Sequence, residues 1–180
     1  NLEHVKLPES ISVKDAVIKY MSDPNVEYAE PNYIKNIHST IPNDTYFGQQ
    51  WGLNNQGQYA NGIMGADINA PGAWDINRGN FITVAVIDSG IDYNHQDLGG
   101  NIWSNPDETN CVDGIDNDGD GYADDCKGWN FVDNNNDPMD DLGHGSHVAG
   151  IIGAVTNNSF GISGVMWNVR IMPLKFGDAY

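Results

Sequence analysis

Thr83-Val84-Ala85-Val86-Ile87-Asp88-Ser89-Gly90-Ile91-Asp92 runs from four consecutive apolar residues into a carboxylate and then a Ser-Gly turn. An unbroken apolar run of this kind predicts a strand over 82–88 buried on both faces of a parallel sheet, since a sheet with one wet face would alternate. Asp88 then stands at the carboxyl end of the strand, where open α/β sheets gather their chemistry. The plainer alternative is an aspartate that only opens a turn. Val169 to Phe176 reads as a second buried strand and Gly128 to Val132 as a short one. Upstream, Asn69-Ala70-Pro71-Gly72-Ala73-Trp74 opens a short helix, with Asn69 as its cap, Pro71 in its first turn and Gly79 at its end.

The 180 residues suffice for one domain, or for a small one and part of another, and a hydrophobic fraction of 39% supports a packed core. The net charge of −17 is concentrated: eleven aspartates and Glu108 face a single Lys127 between Asp107 and Asp141. Such a block repels nucleic acid and anionic membrane surfaces, so neither is expected as a partner. It either stays solvated or collects cations. No apolar run approaches the length of a membrane span. Residues 1–20 are mixed and charged, without a secretory signal pattern. The sequence opens in mid-pattern at Asn1, so an upstream segment is expected.

Residues 1–38 read as a small α+β unit. Leu2 to Leu7 alternates like a strand. Ser12 is a helix cap with Asp15 as its partner, and Val13, Ala16, Val17, Tyr20 and Met21 recur on one helical face. Asp23-Pro24-Asn25 stops the helix, and Val26 to Tyr33 alternates as an edge strand, where Pro31 is tolerated. The polar run from Asn36 to Gln50, with Pro42 inside it, reads as a linker.

His144 opens a segment rich in Gly and Ala, flanked by Gly143 and Gly145, which let backbones approach closely. A histidine so placed, with an aspartate ending a buried strand, suits an acid–base pair. The aspartate accepts from one ring nitrogen and fixes the tautomer, leaving the other nitrogen for a nucleophile. His147, three residues on, makes a zinc site the rival reading, but zinc needs further ligands on the same face and none is spaced for it. His147 is instead expected to be a structural histidine, hydrogen-bonded in the interior.

Val84 to Asp92 together with Gly143-His144-Gly145-Ser146-His147-Val148-Ala149-Gly150 resembles the first two signature blocks of the subtilisin-like serine peptidases. Asn94-His95-Gln96-Asp97-Leu98 is similar to the block that follows the family's aspartate, with Gln96 where proline is usual. Asn157 to Val165 resembles its calcium loop and Ile171 to Lys175 its next core strand. Val26 to Tyr33 resembles the end of an inhibitory propeptide, and Pro42-Asn43-Asp44 with Gln50-Trp51-Gly52 the start of thermitase-like mature enzymes. The resemblance implies a three-layer α/β/α fold with a mostly parallel sheet, incomplete here. It implies a propeptide in 1–38, a linker and mature N-terminus in 39–50, and part of a catalytic domain in 51–180 with a calcium-binding insertion at 107–127. It implies polypeptide substrates, inhibition by the chain's own propeptide over the active-site face, and a cut around Ile37–Pro42. Asp88 would orient His144, the general base.

The family's serine, in a Gly-Thr-Ser-Met-Ala-like block, has no counterpart in the sequence, and Ser146, Ser159 and Ser163 lie in the wrong context. The 180 residues alone are therefore expected not to hydrolyse peptides. The alternative function is a calcium-stabilised binding or adhesion module derived from a peptidase.

Asp116, Asp118, Asp120 and Asp124, with Gly121 inside the run, alternate as calcium ligands do, wrapping hard oxygens around one point; Asp113 or Asp125 would complete the shell. A merely solvated acidic run is the alternative. Cys111 and Cys126, the only cysteines, bracket the run, and their disulfide would pin the loop and place the protein in an oxidising, extracellular compartment. The family resemblance implies a second calcium site from Asp97, Asn158 and the carbonyls of Thr156, Phe160 and Ile162, with Asp44 as the N-terminal carboxylate. An ordinary turn is the alternative at Asn157-Asn158.

Overall fold

The computed structural model describes residues 3–8, 10–32 and 39–177. The chain divides into two compact units, Asn1–Ile37 and His38–Tyr180. In the first, helix α1 spans Val13–Met21. Ser12 Oγ accepts from the Asp15 amide at 3.1 Å and donates to its carboxylate at 2.6 Å, so the cap forms as the sequence predicts. The predicted apolar face does not bury as a stripe: Ala16 is buried, while Val13, Tyr20 and Met21 are exposed.

The two expected strands of this unit are absent from the described residues, which corrects the α+β reading. A strand needs a ladder partner, and here the amides go elsewhere. Val26 donates to the Asp23 carbonyl and Ala29 to Met21 Sδ, while Pro31 has no amide to give. The two segments meet through a side-chain contact, Asn32 Nδ2 to His4 Nε2 at 3.2 Å. Leu2, Tyr33 and the first two positions of the expected cut, Ile37 and His38, lie outside the described residues.

The second unit is built on three parallel strands, β1 (Ile82–Asp88), β2 (Trp129–Asn130) and β3 (Val169–Lys175), in the order β1-β3-β2. The register pairs Ile82 with Val169 and Asp88 with Lys175. Pro173, without an amide, sits in the middle strand just before the β2 ladder begins at Trp129↔Leu174.

Helix α3 (His144–Gly153) covers one face of the β1–β3 pair. Val86, Ile91, Leu98, Ala149, Val169 and Ile171 are buried there, with Val84, Val148 and Ile152 packed against them. Each fully buried aliphatic side chain contributes roughly 1.5–3 kcal/mol. The opposite face, which presents Ala85 and Ile87, corrects the expectation of burial on both sides: Ala85 is exposed and Ile87 is 66% exposed. β1 is an edge strand among the described residues, and only α3 lies on it.

Helix α2 (Ala70–Trp74) has Pro71 in its first turn as predicted, but it ends five residues before Gly79. Asn69 is left-handed (φ +51°) and makes no side-chain cap. Residues 40–50 are packed into this unit rather than left as a linker. Phe47 stacks near Trp74 (5.9 Å between ring centroids), and both are buried with Leu53 and Ala70. Thr40 donates to Asp75 twice, through its amide and its hydroxyl.

Candidate active site and cation-binding loops

Asp88 ends β1 and His144 begins α3, so the packing of the helix on the strand brings them together. Gly145 makes this approach possible: a side chain there would strike the Gly90 carbonyl and the Asp88 side chain. Gly143, at φ +89°, supplies the left-handed turn into the helix.

His144 Nδ1 lies 2.7 Å from Asp88 Oδ1 and 2.8 Å from Oδ2. The Ser89 amide donates to Oδ1 at 2.7 Å. Burial pushes the Asp88 carboxyl up, but the hydrogen bonds from His144 and Ser89 and the imidazole's charge outweigh it, and the net shift is below the ordinary carboxylate value. An ionised carboxylate only accepts, so Nδ1 carries the proton and Nε2 is left basic. The Asp88 side chain is 18% exposed and that of His144 66%, so this basic nitrogen sits on an open surface. The pair can therefore take a proton from a hydroxyl brought to Nε2.

Among the described residues, no serine hydroxyl hydrogen-bonds to His144. Ser146 Oγ donates to Asp140, and Ser163 Oγ to Asp44. His147 is exposed, not interior, because i+3 spacing from His144 keeps it on the helix surface. Neither histidine belongs to a cluster of potential metal ligands among the described residues.

Sequence reasoning missed Asp140, which it counted only as charge. Its Oδ1 accepts from the Ser89 hydroxyl and the Leu142 and Gly143 amides, and its Oδ2 from the Ser146 amide and hydroxyl. Burial pushes this carboxyl up, but the bonds from Ser146, Gly143 and Ser89 dominate and hold it at about 2. The available signal was an acid three residues ahead of a glycine cap that has no side chain to serve its own helix.

In the acidic insertion, Asp116, Asp118 and Asp120 converge, each offering an oxygen within 4.8 Å of the others. Asp124 does not join them. Its backbone is left-handed (φ +60°), and its carboxylate accepts from the amides of Asp113 and Gly114 instead. Glu108, which the sequence reading passed over, forms a second cluster with Asp118 and Asp125. Glu108 and Asp125 are each 6% exposed. Burial above all, with neighbouring carboxylates adding to it, pushes both of their carboxyls up. Asn105 Nδ2 bridges Asp118 and Asp125 at 2.9 and 2.7 Å, and its bond is the main influence holding Asp118 down. Neither ion pair found among the described residues, His144–Asp88 or Lys175–Asp141, reaches these clusters. Cys111 and Cys126 form the predicted disulfide (Cα–Cα 5.7 Å).

Asp97, Asn158 and Asp44 are brought together around the 156–162 loop. Asp97 accepts from Asn158 Nδ2 and the Ile162 amide, both at 2.8 Å. Asp44 accepts from the Asn157 and Asn158 amides and the Ser163 hydroxyl. Both carboxylates thus clamp the loop through its donors. Thr156 uses its hydroxyl locally, accepting from Gly164 and donating to Ala154 O.

Residues 79–179 match the model of the subtilase family (Peptidase_S8), and residues 1–32 match the fervidolysin N-terminal prodomain. The chain is 40% identical to a thermophilic serine proteinase of Bacillus sp. (strain AK1), over 91% of this chain and 33% of that protein. It is 43% identical to subtilisin-like protease 1 of Plasmodium berghei, over 86% of this chain and 24% of that protein. Against thermitase of Thermoactinomyces vulgaris it is 35% identical over 76% of this chain and 37% of that protein. The fold superimposes on the crystal structure of the serine protease of Aeromonas sobria with a TM-score of 0.59 and 25% identity, covering 83% of this chain and 23% of that one. The chain thus spans little more than a third, or less, of each of these relatives.

Proposed function

The chain belongs to the subtilase family, and from that premise we propose that it supplies the aspartate and histidine of a serine endopeptidase triad. The observation that carries the reading is the contact between Asp88 and His144 Nδ1, with the histidine's other face open. His144 acts as general base toward a serine hydroxyl and then returns the proton to the leaving amine. Asp88 holds the tautomer and stabilises the imidazolium. The serine and the oxyanion-hole asparagine come from residues outside these 180, so the chain alone does not cleave peptides. Substrates are polypeptides. Residues 1–38 serve as the intramolecular inhibitor of a secreted zymogen, in keeping with the prodomain match and the disulfide. No helix among the described residues is long and apolar enough to cross a membrane.

The carboxylate clusters fit calcium by their chemistry: hard oxygens within 4.8 Å, two of the carboxylates buried, and a disulfide closing the loop. Asp116, Asp118 and Asp120 would hold the ion, with Glu108 and Asp125 beside them. Bound there, calcium supplies positive charge that fixes the loop and takes no part in bond cleavage. Asp97, Asn158 and Asp44 would serve the 156–162 loop in the same way, with the carbonyls of Thr156, Phe160 and Ile162.

Labelling of the full-length protein with a fluorophosphonate, with and without a chelator, tests this function. The expected result is labelling that His144→Ala abolishes. Absence of labelling under both conditions would sink the peptidase and leave the calcium-stabilised module as the better reading.

A further inference from the structure

Asp140 connects the two elements that carry Asp88 and His144. Toward α3 it accepts from the Gly143 amide at 2.9 Å, the Ser146 amide at 2.9 Å and the Ser146 hydroxyl at 2.6 Å. Toward β1 it accepts from the Ser89 hydroxyl at 2.8 Å. The same Ser89 oxygen receives the Gly145 amide at 3.0 Å, and the Ser146 oxygen receives the Asp92 amide at 2.8 Å. The turn after β1 and the turn into α3 are therefore tied together through one carboxylate and two hydroxyls.

Resting on the peptidase reading above, we propose that Asp140 is a positioning residue: it locks the Asp88–Ser89 turn to the first turn of α3 so that His144 Nδ1 meets Asp88. Asp140 does not touch the reacting atoms. A helix cap alone needs only the amides of the first turn. The bond to Ser89 lies outside that role, because Ser89 belongs to the strand end, and its own amide orients the Asp88 carboxylate. The five donors converging on Asp140 require both of its oxygens as acceptors. Asparagine, with one oxygen and an amide that donates, can accept from only one of the two donor sets, either Ser89, Leu142 and Gly143 or the amide and hydroxyl of Ser146. The loss of either set loosens the tie between the strand end and the helix start, and a misplacement of about 1 Å in such a pair costs on the order of 100-fold in rate.

The test uses the full-length protein with Asp140→Asn and Ser89→Ala. Peptide hydrolysis is followed across pH, and the ring nitrogens and Nδ1 proton of His144 are followed by NMR. Asp140→Asn is expected to lower kcat by roughly 10–100-fold with KM within about twofold, and to broaden or erase the hydrogen-bonded Nδ1 proton signal. Ser89→Ala leaves the bonds from Asp140 to α3 in place and is expected to show the same changes in smaller measure. A folded Asp140→Asn protein with a lower melting temperature but unchanged kcat and His144 signals would make Asp140 a helix cap only and overturn the proposal. If Asp140→Asn does not fold, Ser89→Ala decides by the same two readouts. Wild-type protein that cleaves no peptide refutes the peptidase reading, and the NMR comparison still decides the role of Asp140.

Discussion

Asp88 Oδ1 and His144 Nδ1 meet at 2.7 Å across 56 residues of chain. The contact follows from core packing, not from local sequence. α3 lies on the face of the sheet that presents Val84, Val86, Val169 and Ile171, and that burial fixes where the first residue of the helix stands relative to the end of β1. Gly145 then removes the one side chain that would hold the two apart. The apolar face of β1 and the chemistry at its end thus come from one packing arrangement.

Replacing Asp88 with asparagine keeps the shape but reverses the hydrogen-bonding demand on Nδ1, so the histidine is held in the wrong tautomer. The full-length protein carrying Asp88→Asn is expected to lose on the order of 10⁴ in kcat. KM should change little, since Asp88 does not face the substrate. Steady-state kinetics check this, and a loss below about tenfold would remove Asp88 from the triad.

Acid should destabilise this unit in a defined window. The carboxyls of Asp88 and Asp140 are both depressed by their donors, that of Asp140 to about 2. A depressed carboxylate stabilises the fold fully above its unfolded value, about 3.9, and the gain is lost as pH falls through the folded value. Urea unfolding between pH 5 and pH 2 should therefore show a steep loss, of which Asp140 contributes no more than about 2 kcal/mol. Asp140→Asn should flatten that slope; an unchanged slope would show that Asp140 contributes nothing to it.

The strand at 82–88 was legible from its run of four apolar residues, and β3 from the apolar residues that dominate Val169 to Leu174. Which faces are covered was not legible, since a run without alternation does not say what packs on it. Ile87 is exposed although it lies inside that run. The alternation from Val26 to Tyr33 looked like a strand, but alternation supplies no ladder partner. The aspartate spacing pointed to Asp116, Asp118 and Asp120 correctly, yet it could not foresee that a left-handed backbone turns Asp124 away. Glu108 and Asp140 were hidden for a common reason: in a segment this acidic, charge alone does not single out a residue, and only its donors do.

The disulfide should matter most when the carboxylate clusters hold no cation. Cys111 and Cys126 close a loop of 15 residues, worth about 3 kcal/mol of unfolded-state entropy. Replacing both by serine is expected to lower the melting temperature, and adding a chelator should lower it further than in the wild type, because the clustered carboxylates then repel with neither tie in place. Melting curves of the two proteins with and without calcium read this out. Equal chelator effects on both proteins would mean that the two ties act independently.

Gly161 gives the sharpest test of the clamp on the 156–162 loop. It sits at φ +53°, and a Cβ there would collide with the Asp97 carboxylate. Alanine in this backbone region costs roughly 1–2 kcal/mol by itself. The collision also displaces the carboxylate that holds Asn158 and the Ile162 amide, and hydrogen bonds to a charged group are worth about 1.5–3 kcal/mol each. Gly161→Ala is therefore expected to destabilise the unit by about 2–4 kcal/mol. If the damage runs through Asp97, the double variant Gly161→Ala/Asp97→Ala should be clearly less unstable than the two single losses added together, since truncating Asp97 removes the collision. Denaturant midpoints of the three variants decide it: strict additivity would show that backbone strain alone, and not the Asp97 clamp, carries the effect.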